Sequence, residues 1–256
     1  MKIAILGAGN MGGAIARGLA QGGLVATKDI TVTNPSVGKL DKLKAEYPEI
    51  NVSTDNSVAS EADMVIIAVK PWKVEEVVKP LHLRRPQIVV SVAAGISFET
   101  LKEYVDKDMT LFRVIPNTAI SCLASTTLIA ECNASTEQTQ MLLDLFNEMG
   151  LSILIEEKQM IAATALTSCG IAFVLKYVQA AMQAGVEVGI RPKDAMKMLA
   201  QTLDGAAQLL LTDENTHPAI EIDKVTTPGG ITIKGVNQLD HDGFTSAVIN
   251  AVKACM

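Results

Sequence analysis

Aromatic side chains make up only 4% of this 256-residue sequence, so Ala, Val, Ile and Leu must do most of the packing. Cysteine is equally sparse. Cys122, Cys132, Cys169 and Cys255 form no C-x-x-C pair, and the three histidines stand far apart, which argues against a metal centre or a disulfide framework and for free thiols in a reducing cytosol. Basic excess is also missing. Lys and Arg number 22 against 28 acidic residues, a net charge of -6, whereas a nucleic-acid surface needs clustered cations. The opening MKIAILGAGN has too short an apolar stretch for a secretory signal and runs straight into a glycine loop. The longest uncharged runs, 114–130 and 159–175, are interrupted by polar residues and read as buried elements, not membrane spans. These absences leave a cytoplasmic globular protein that binds neither nucleic acid nor membrane. Its 48% hydrophobic content and its length suit two modest domains.

The first part of the chain alternates short β-branched runs with helical patterns, the signature of βαβ units around a parallel sheet. Strands are expected at 2–6, 29–33, 51–53, 63–69, 87–92, 111–115, 126–130 and 151–155. Helices are expected at 11–21, 37–47, 71–81 and 136–149. Residues 63–69 (DMVIIAV) are almost wholly apolar, as befits a central strand covered on both faces. Beyond Glu156 the strands stop. Residues 158–188 read as one long helix, broken near Cys169 and Gly170 and spanning about 45 Å at 1.5 Å per residue. It is apolar around most of its circumference, and such a helix must be enclosed on every side. The few helices that follow, at 192–211, 230–240 and 244–254, cannot supply that cover, so a second subunit is expected over Phe173, Val174, Val178 and Met182. The expected fold is a Rossmann-type doubly wound, mainly parallel α/β sheet (1–156), followed by a smaller all-α C-terminal domain (157–256) for substrate binding and dimerisation.

Gly7, Ala8, Gly9, Asn10, Met11 and Gly12 match G-x-G-x-x-G. The motif alone is weak, but here it follows a strand and opens a helix, the context that gives it meaning. Gly7 permits the tight turn, Gly9 lets backbone approach a pyrophosphate, and Gly12 lets helix pack on strand. The helix N-terminus then offers free N–H groups and a partial positive charge to the phosphates. The end of the second strand reads Thr33, Asn34, Pro35, Ser36, without the carboxylate that would accept from a ribose 2′-hydroxyl and repel a 2′-phosphate. Asn34 and Ser36 can donate to a phosphate and Lys39 lies one turn on, which favours NADPH while leaving NADH possible. The competing reading is that Asn34 and Ser36 cap the next helix. Val69, Lys70 and Pro71 end the fourth strand and Ala93, Ala94 and Gly95 follow the fifth, at the sheet edge where ligands bind. Trp72 stands beside this edge and is read as packing on the helix start.

These segments resemble pyrroline-5-carboxylate reductases over nearly the whole chain. The matches are GAGNMG, Asn56, AVKP at Ala68 to Pro71, AAG at Ala93 to Gly95, and Arg113-Val-Ile-Pro116-Asn117-Thr118, similar to the family's R-x-M-P-N-T-P. The most specific is Thr227-Pro228-Gly229-Gly230-Ile231-Thr232, similar to its (S)-P-G-G-x-T. The resemblance implies NAD(P)H-dependent reduction of 1-pyrroline-5-carboxylate to L-proline by a homodimer or a higher oligomer of dimers. It also implies that Asn10, Met11, Asn56, Ala68 and Asn117 join the cofactor-binding set. Where the family has G-S-G-P-A-Y, this chain has Ser168-Cys169-Gly170-Ile171-Ala172-Phe173, and Ala119 replaces the last Pro of P-N-T-P.

Imine reduction needs a hydride donor, a proton for the ring nitrogen and a grip on the substrate carboxylate. Pro228, Gly229 and Gly230 at a helix start present N–H groups to an anion. Thr227 can add a hydroxyl to that carboxylate, and Thr232, in the first helical turn, can hydrogen-bond the ring nitrogen as proton donor or as orienting group. Thr227 can equally be a helix cap. His217 is read as a surface-loop residue and Arg113 as an internal ion pair, a backbone contact or a carboxylate clamp. Two other readings stay open: a wider imine or β-hydroxyacid reductase, for which Lys176 would be the only lysine in the right helix, and a non-catalytic NADPH-binding sensor.

Overall fold

The computed structural model describes residues 1–213 and 215–256. They form two compact units, Met1–Ser168 and Cys169–Met256. The first is built on an eight-stranded sheet of order β3-β2-β1-β4-β5-β6-β7-β8. Its strands are β1 (Ile3–Leu6), β2 (Ile30–Thr33), β3 (Asn51–Ser53), β4 (Met64–Ile67), β5 (Ile88–Ser91), β6 (Thr110–Ile115), β7 (Ser125–Cys132) and β8 (Gly150–Leu154). β1, β4 and β5 are buried at every position, as a strand covered on both faces must be. Pairing is parallel except between β6 and β7, whose two strands follow each other across a short connection and run antiparallel. The order reverses between β1 and β4, so a crevice opens beyond the carboxyl ends of those two strands.

Helices α1 (Asn10–Gln21), α2 (Val37–Glu46), α3 (Val74–Val78), α4 (Phe98–Leu101) and α5 (Thr136–Asn147) connect and cover the sheet. On one face Ile15, Leu19, Leu40, Leu43 and Phe146 pack over Ile3, Ile5 and Phe112; on the other Val74, Val78, Phe98 and Leu101 cover Leu6, Val65 and Val89. The continuous helix expected over 71–81 is in fact α3 between two 3₁₀ turns, Pro71–Lys73 and Lys79–Leu81. Pro80 explains the break, since it has no N–H to give and its ring crowds the preceding turn.

A 3₁₀ turn at Glu157–Gln159 leads into α6 (Met160–Thr164), a π-helical turn at Ala165–Cys169 and α7 (Gly170–Glu187), so the interruption expected near Cys169 is a π turn. The units therefore part at Ser168, twelve residues beyond the boundary expected at 156/157, because Met160 and Ala165 are buried in the first unit. The second unit continues through α8 (Pro192–Thr212), α9 (Pro218–Val225), α10 (Ile231–His241) and α11 (Phe244–Lys253). α9 is not foreseen by the sequence reading: His217 is its N-cap, its Nδ1 accepting from the Ala219 N–H at 3.2 Å, and is no free loop residue. The expectation that 159–175 is buried holds within one chain at Met160 and Ala165 and fails from Gly170 on. No residue of α7 is buried, and Leu175 stays 61% exposed.

Phe112, on β6, is wholly enclosed. Phe112→Ala should cost about 3–5 kcal/mol through lost burial and a residual cavity, read as a lower urea midpoint with an unchanged slope.

Candidate dinucleotide groove and anion-binding turn

The loop after β1 is fixed by close packing. Gly7 sits at φ +108°, and a Cβ there would lie 2.7 Å from the Ala68 carbonyl oxygen. A Cβ on Gly12 would come within 1.9 Å of the Gly7 oxygen and 2.9 Å of the Ala68 Cβ. Side chains are therefore excluded at both positions, and α1 is seated against the ends of β1 and β4. Gly9, by contrast, faces open space. It is the N-cap of α1 in an extended conformation (φ -71°, ψ -171°), no side chain caps the helix, and its first turn has no acidic residue. The N–H groups and the positive end of the helix dipole are left for an anion.

A groove of about 500 Å³ lies in front of this loop. Gly9, Asn10, Met11, Asn34, Ala68, Val69, Lys70, Pro71, Ala93 and Ala94, all candidates from the sequence, line it together. Lys39 and Lys73 line it as well, so among the described residues the groove is lined by three ammonium groups and no carboxylate. Lys73 went unnoticed in the sequence because its placement depends on the 3₁₀ turn opened by Pro71; its position two residues past the strand-end proline was the available signal.

The remaining candidates are not among its lining residues. Gly7 and Gly12 fix the turn and the start of α1. The Asn34 Oδ1 accepts from the Ala8 N–H at 3.2 Å and its Nδ2 donates to the Ser36 carbonyl at 2.9 Å, tying the β2 end to the glycine loop. Ser36 takes the N-cap position of α2, as the capping reading expects, but neither its side chain nor that of Asn34 bonds the helix N–H groups. Asn56 accepts from the Thr33 hydroxyl at 2.5 Å, which leaves its amide N–H groups as donors. The turn carrying it is held by Asp55, which accepts from both the N–H and the hydroxyl of Ser57; the hydroxyl contact first, and the N–H second, hold the carboxyl below its ordinary range. Gly95 takes φ +78° in the loop after β5. Asn117 is buried and already engaged, accepting from the Ala119 N–H at 2.9 Å and donating to the Thr167 carbonyl at 3.4 Å. Trp72 does not pack on the helix start: it is 75% exposed.

In the second unit, the Gly230 N–H donates to the Thr227 carbonyl at 2.9 Å, closing a turn in which Gly229 adopts φ +73°. Gly230 is the N-cap of α10 and no side chain caps the helix, so Thr227 is not its cap. A Cβ on Gly230 would meet the Thr227 hydroxyl at 2.8 Å, which places that hydroxyl beside the uncapped N–H groups. Thr232 is exposed in the first turn. Ile231 next to it is 87% exposed, and other apolar side chains of this unit, among them Val174, Leu211 and Phe244, are exposed as well. The helix running Glu157–Glu187 is long and apolar enough by composition to cross a membrane.

Comparisons with known proteins supply what covers these surfaces. Residues 157–256 match the family described as pyrroline-5-carboxylate reductase dimerisation, and residues 2–95 match one described as NADP oxidoreductase, coenzyme F420-dependent. Pyrroline-5-carboxylate reductase 1 of Dictyostelium discoideum is 37% identical over 98% of this chain, which spans 48% of that relative's length. Pyrroline-5-carboxylate reductase 2 of the same organism is also 37% identical, with 98% of this chain and 89% of the relative covered. The Escherichia coli K12 reductase is 32% identical over 100% and 96% of the two chains. Among solved structures, 1-pyrroline-5-carboxylate reductase from Streptococcus pyogenes superposes with a TM-score of 0.87 at 31% identity, covering 100% of this chain and 96% of that one. The Plasmodium falciparum pyrroline carboxylate reductase with NADP bound gives 0.87 at 26%, covering 100% and 95%. Fold and groove define a dinucleotide-dependent oxidoreductase with a helical dimerisation region. Within that class, the chain belongs to the pyrroline-5-carboxylate reductase family.

The dimerisation match lies on the segment whose apolar faces a single chain leaves open. Val174→Asp would place an unpaired carboxylate in that interface. Light scattering should then show the mass falling from dimer to monomer at micromolar protein, with the variant otherwise soluble or partly unfolded; an unchanged dimer would remove α7 from the interface.

Proposed function

We propose that this chain uses NAD(P)H to reduce the C=N bond of 1-pyrroline-5-carboxylate, producing L-proline, the last step of proline biosynthesis. The observation that carries this reading is the uncapped turn Pro228-Gly229-Gly230 beside Thr232, in a chain whose other unit holds an uncapped, lysine-lined dinucleotide groove. When bound, the cofactor supplies the hydride. The fit of the groove to a dinucleotide rests on the space before Gly9, on the free N–H groups of α1 and on the lysine lining.

Gly7, Gly9, Asn10, Met11 and Gly12 hold the pyrophosphate. Asn34 and Ser36 take the 2′-phosphate side, where no carboxylate repels it, and Asn56 supports the ribose. Ala68, Val69, Lys70, Pro71, Ala93, Ala94 and Gly95 shape the path of the cofactor across the strand ends. Asn117 acts from below, holding the turn that follows β6. The N–H groups of Gly229 and Gly230, with the Thr227 hydroxyl, hold the substrate carboxylate. Thr232 hydrogen-bonds the ring nitrogen, as proton donor or as orienting group.

Residues 157–256 serve as the substrate-binding and dimerisation part. The apolar helix Glu157–Glu187 belongs to contacts between subunits, so the protein is cytoplasmic, forms dimers or an oligomer of dimers, and engages neither membrane nor nucleic acid. A β-hydroxyacid dehydrogenase is disfavoured because Lys176 is exposed and donates to Gln179 of the same helix at 3.0 Å. Ile171 and Phe173, in the first turn of α7, replace the proline and tyrosine of related chains and are where substrate range would differ.

Two variants test this reading. Asn34→Asp sets a carboxylate against the 2′-phosphate and should weaken NADPH by about 1–3 kcal/mol, with little effect on NADH. Equal losses for both cofactors in a fluorescence titration would refute the assignment. Thr232→Val keeps shape and removes one hydrogen bond. Its kcat should fall roughly tenfold to a thousandfold, with NADPH affinity and melting temperature nearly unchanged. Normal turnover would take Thr232 out of the chemistry and leave only the backbone of Gly229 and Gly230 at the substrate.

A further inference from the structure

Most ion pairs among the described residues are solvent-exposed, but one is set into the first unit. Arg113, on β6, is 11% exposed, and its guanidinium donates to Glu157 Oε1 at 2.7 Å. The same carboxylate oxygen accepts from the Phe98 N–H at 2.8 Å. Glu157 therefore joins three pieces of chain. It opens the 3₁₀ turn that leads into α6, it neutralises a nearly buried cation, and it anchors the backbone where the loop after β5 enters α4. That loop is 92–97, containing Ala93, Ala94 and Gly95. Its upstream end is fixed by β5, where Ser91 pairs in register with Arg113 itself. Its downstream end is fixed by the Ser97 cap on the Thr100 N–H and by Glu157 on Phe98. Arg113 thus governs both ends of the segment, one through the sheet and the other through Glu157.

We propose that Glu157, held by Arg113, is a positioning residue that sets the Ala93–Ala94–Gly95 backbone at the groove and thereby the geometry of hydride transfer. This rests on the function proposed above. The pyrophosphate end of the groove is formed by the loop after β1, so loss of the Glu157 anchor alters the reactive geometry far more than it alters cofactor affinity. A buried arginine left without its partner would destabilise the fold by itself, so the informative variants remove both charges. R113M/E157M keeps packing but abolishes the acceptor for the Phe98 N–H. R113M/E157Q restores that acceptor as an amide oxygen.

The test compares these two double variants with the unmodified dimer. Hydrogen–deuterium exchange reads the loop without needing activity: amides of 93–98 should exchange at least tenfold faster in R113M/E157M and return most of the way in R113M/E157Q. Steady-state kinetics with the imine substrate should show kcat reduced about tenfold or more in R113M/E157M, with NADPH affinity changed less than threefold. The primary isotope effect with 4-deuterated NADPH should rise as hydride transfer becomes limiting. R113M/E157Q should recover both. Unchanged loop exchange overturns the proposal, as do equal losses of kcat and melting temperature in both variants with an unaltered isotope effect. An unmodified protein that binds NADPH but reduces no imine overturns the function instead, and the exchange data still report on the anchor.

Discussion

The place where α1 meets the sheet leaves no room for a methyl group. Gly12 lies so close to the Gly7 carbonyl and to Ala68 that any side chain there would push the helix off the strand ends. Everything about the groove depends on that approach. It brings the N-terminus of α1 to the carboxyl edges of β1 and β4, where the strand order reverses, and aims its unsatisfied N–H groups outward. Asn34 then bonds Ala8, so the end of β2 is held at the same height. The lysines around the rim add charge, but the glycine contact sets where that charge acts. A larger residue at Gly12 would disturb the packing and the proposed phosphate site at once, because they are one piece of geometry.

The second unit poses the opposite problem, too much apolar surface and too little to cover it. Helices α7, α9, α10 and α11 contain no buried residue within a single chain, and α8 contains only Ala195. Hydrophobic burial scales with the area removed from water, so helices this open gain little from folding alone. The match of residues 157–256 to a family described as dimerisation fits this surface, and a partner subunit is the cover proposed above for the area that one chain leaves wet. The same fact explains why a helix apolar enough for a membrane occurs here. Lipid and a partner's apolar helices ask for similar surfaces, and composition alone does not separate them.

Much of this was legible in the sequence because local rules and the fold agreed. All eight strands form close to where β-branched runs place them, and GAGNMG sits between a strand and a helix as its chemistry requires. What escaped notice depended on contacts between distant segments. Lys73 reaches the groove through a 3₁₀ turn that a helical pattern conceals. Asn117 matches a family segment, yet its amide is engaged by Ala119 and Thr167, a fact of packing that no spacing reveals. Large aromatics usually bury, but Trp72 stands in the open. The helix that His217 caps is short and led by proline, so it offers little periodicity to detect. The sequence leaves several roles open to Arg113, and only the position of Glu157, 44 residues away, separates them.

The groove and the proposed substrate turn share one backbone device. Both α1 and α10 begin at a glycine N-cap in nearly the same extended conformation, φ -71°, ψ -171° for Gly9 and φ -67°, ψ 170° for Gly230. Neither helix has an acidic residue in its first turn, and neither is capped by a side chain. The contrast with α5 is instructive: there Ser135 and Gln138 form a complete capping box, and the helix N-terminus has no donors to spare. A serine or aspartate at Gly9, where a Cβ meets nothing, would stabilise α1 by satisfying the same N–H groups, but an external anion would then have to compete with it; at Gly230 the Thr227 hydroxyl and carbonyl already crowd a Cβ. Glycine costs a helix start only a few tenths of a kcal/mol relative to those caps. A phosphate or carboxylate seated there regains more than that through charge-assisted hydrogen bonds. The small deficit at two helix ends is therefore what leaves donors free at each of them, and in the function proposed above one simple solution serves cofactor and substrate alike.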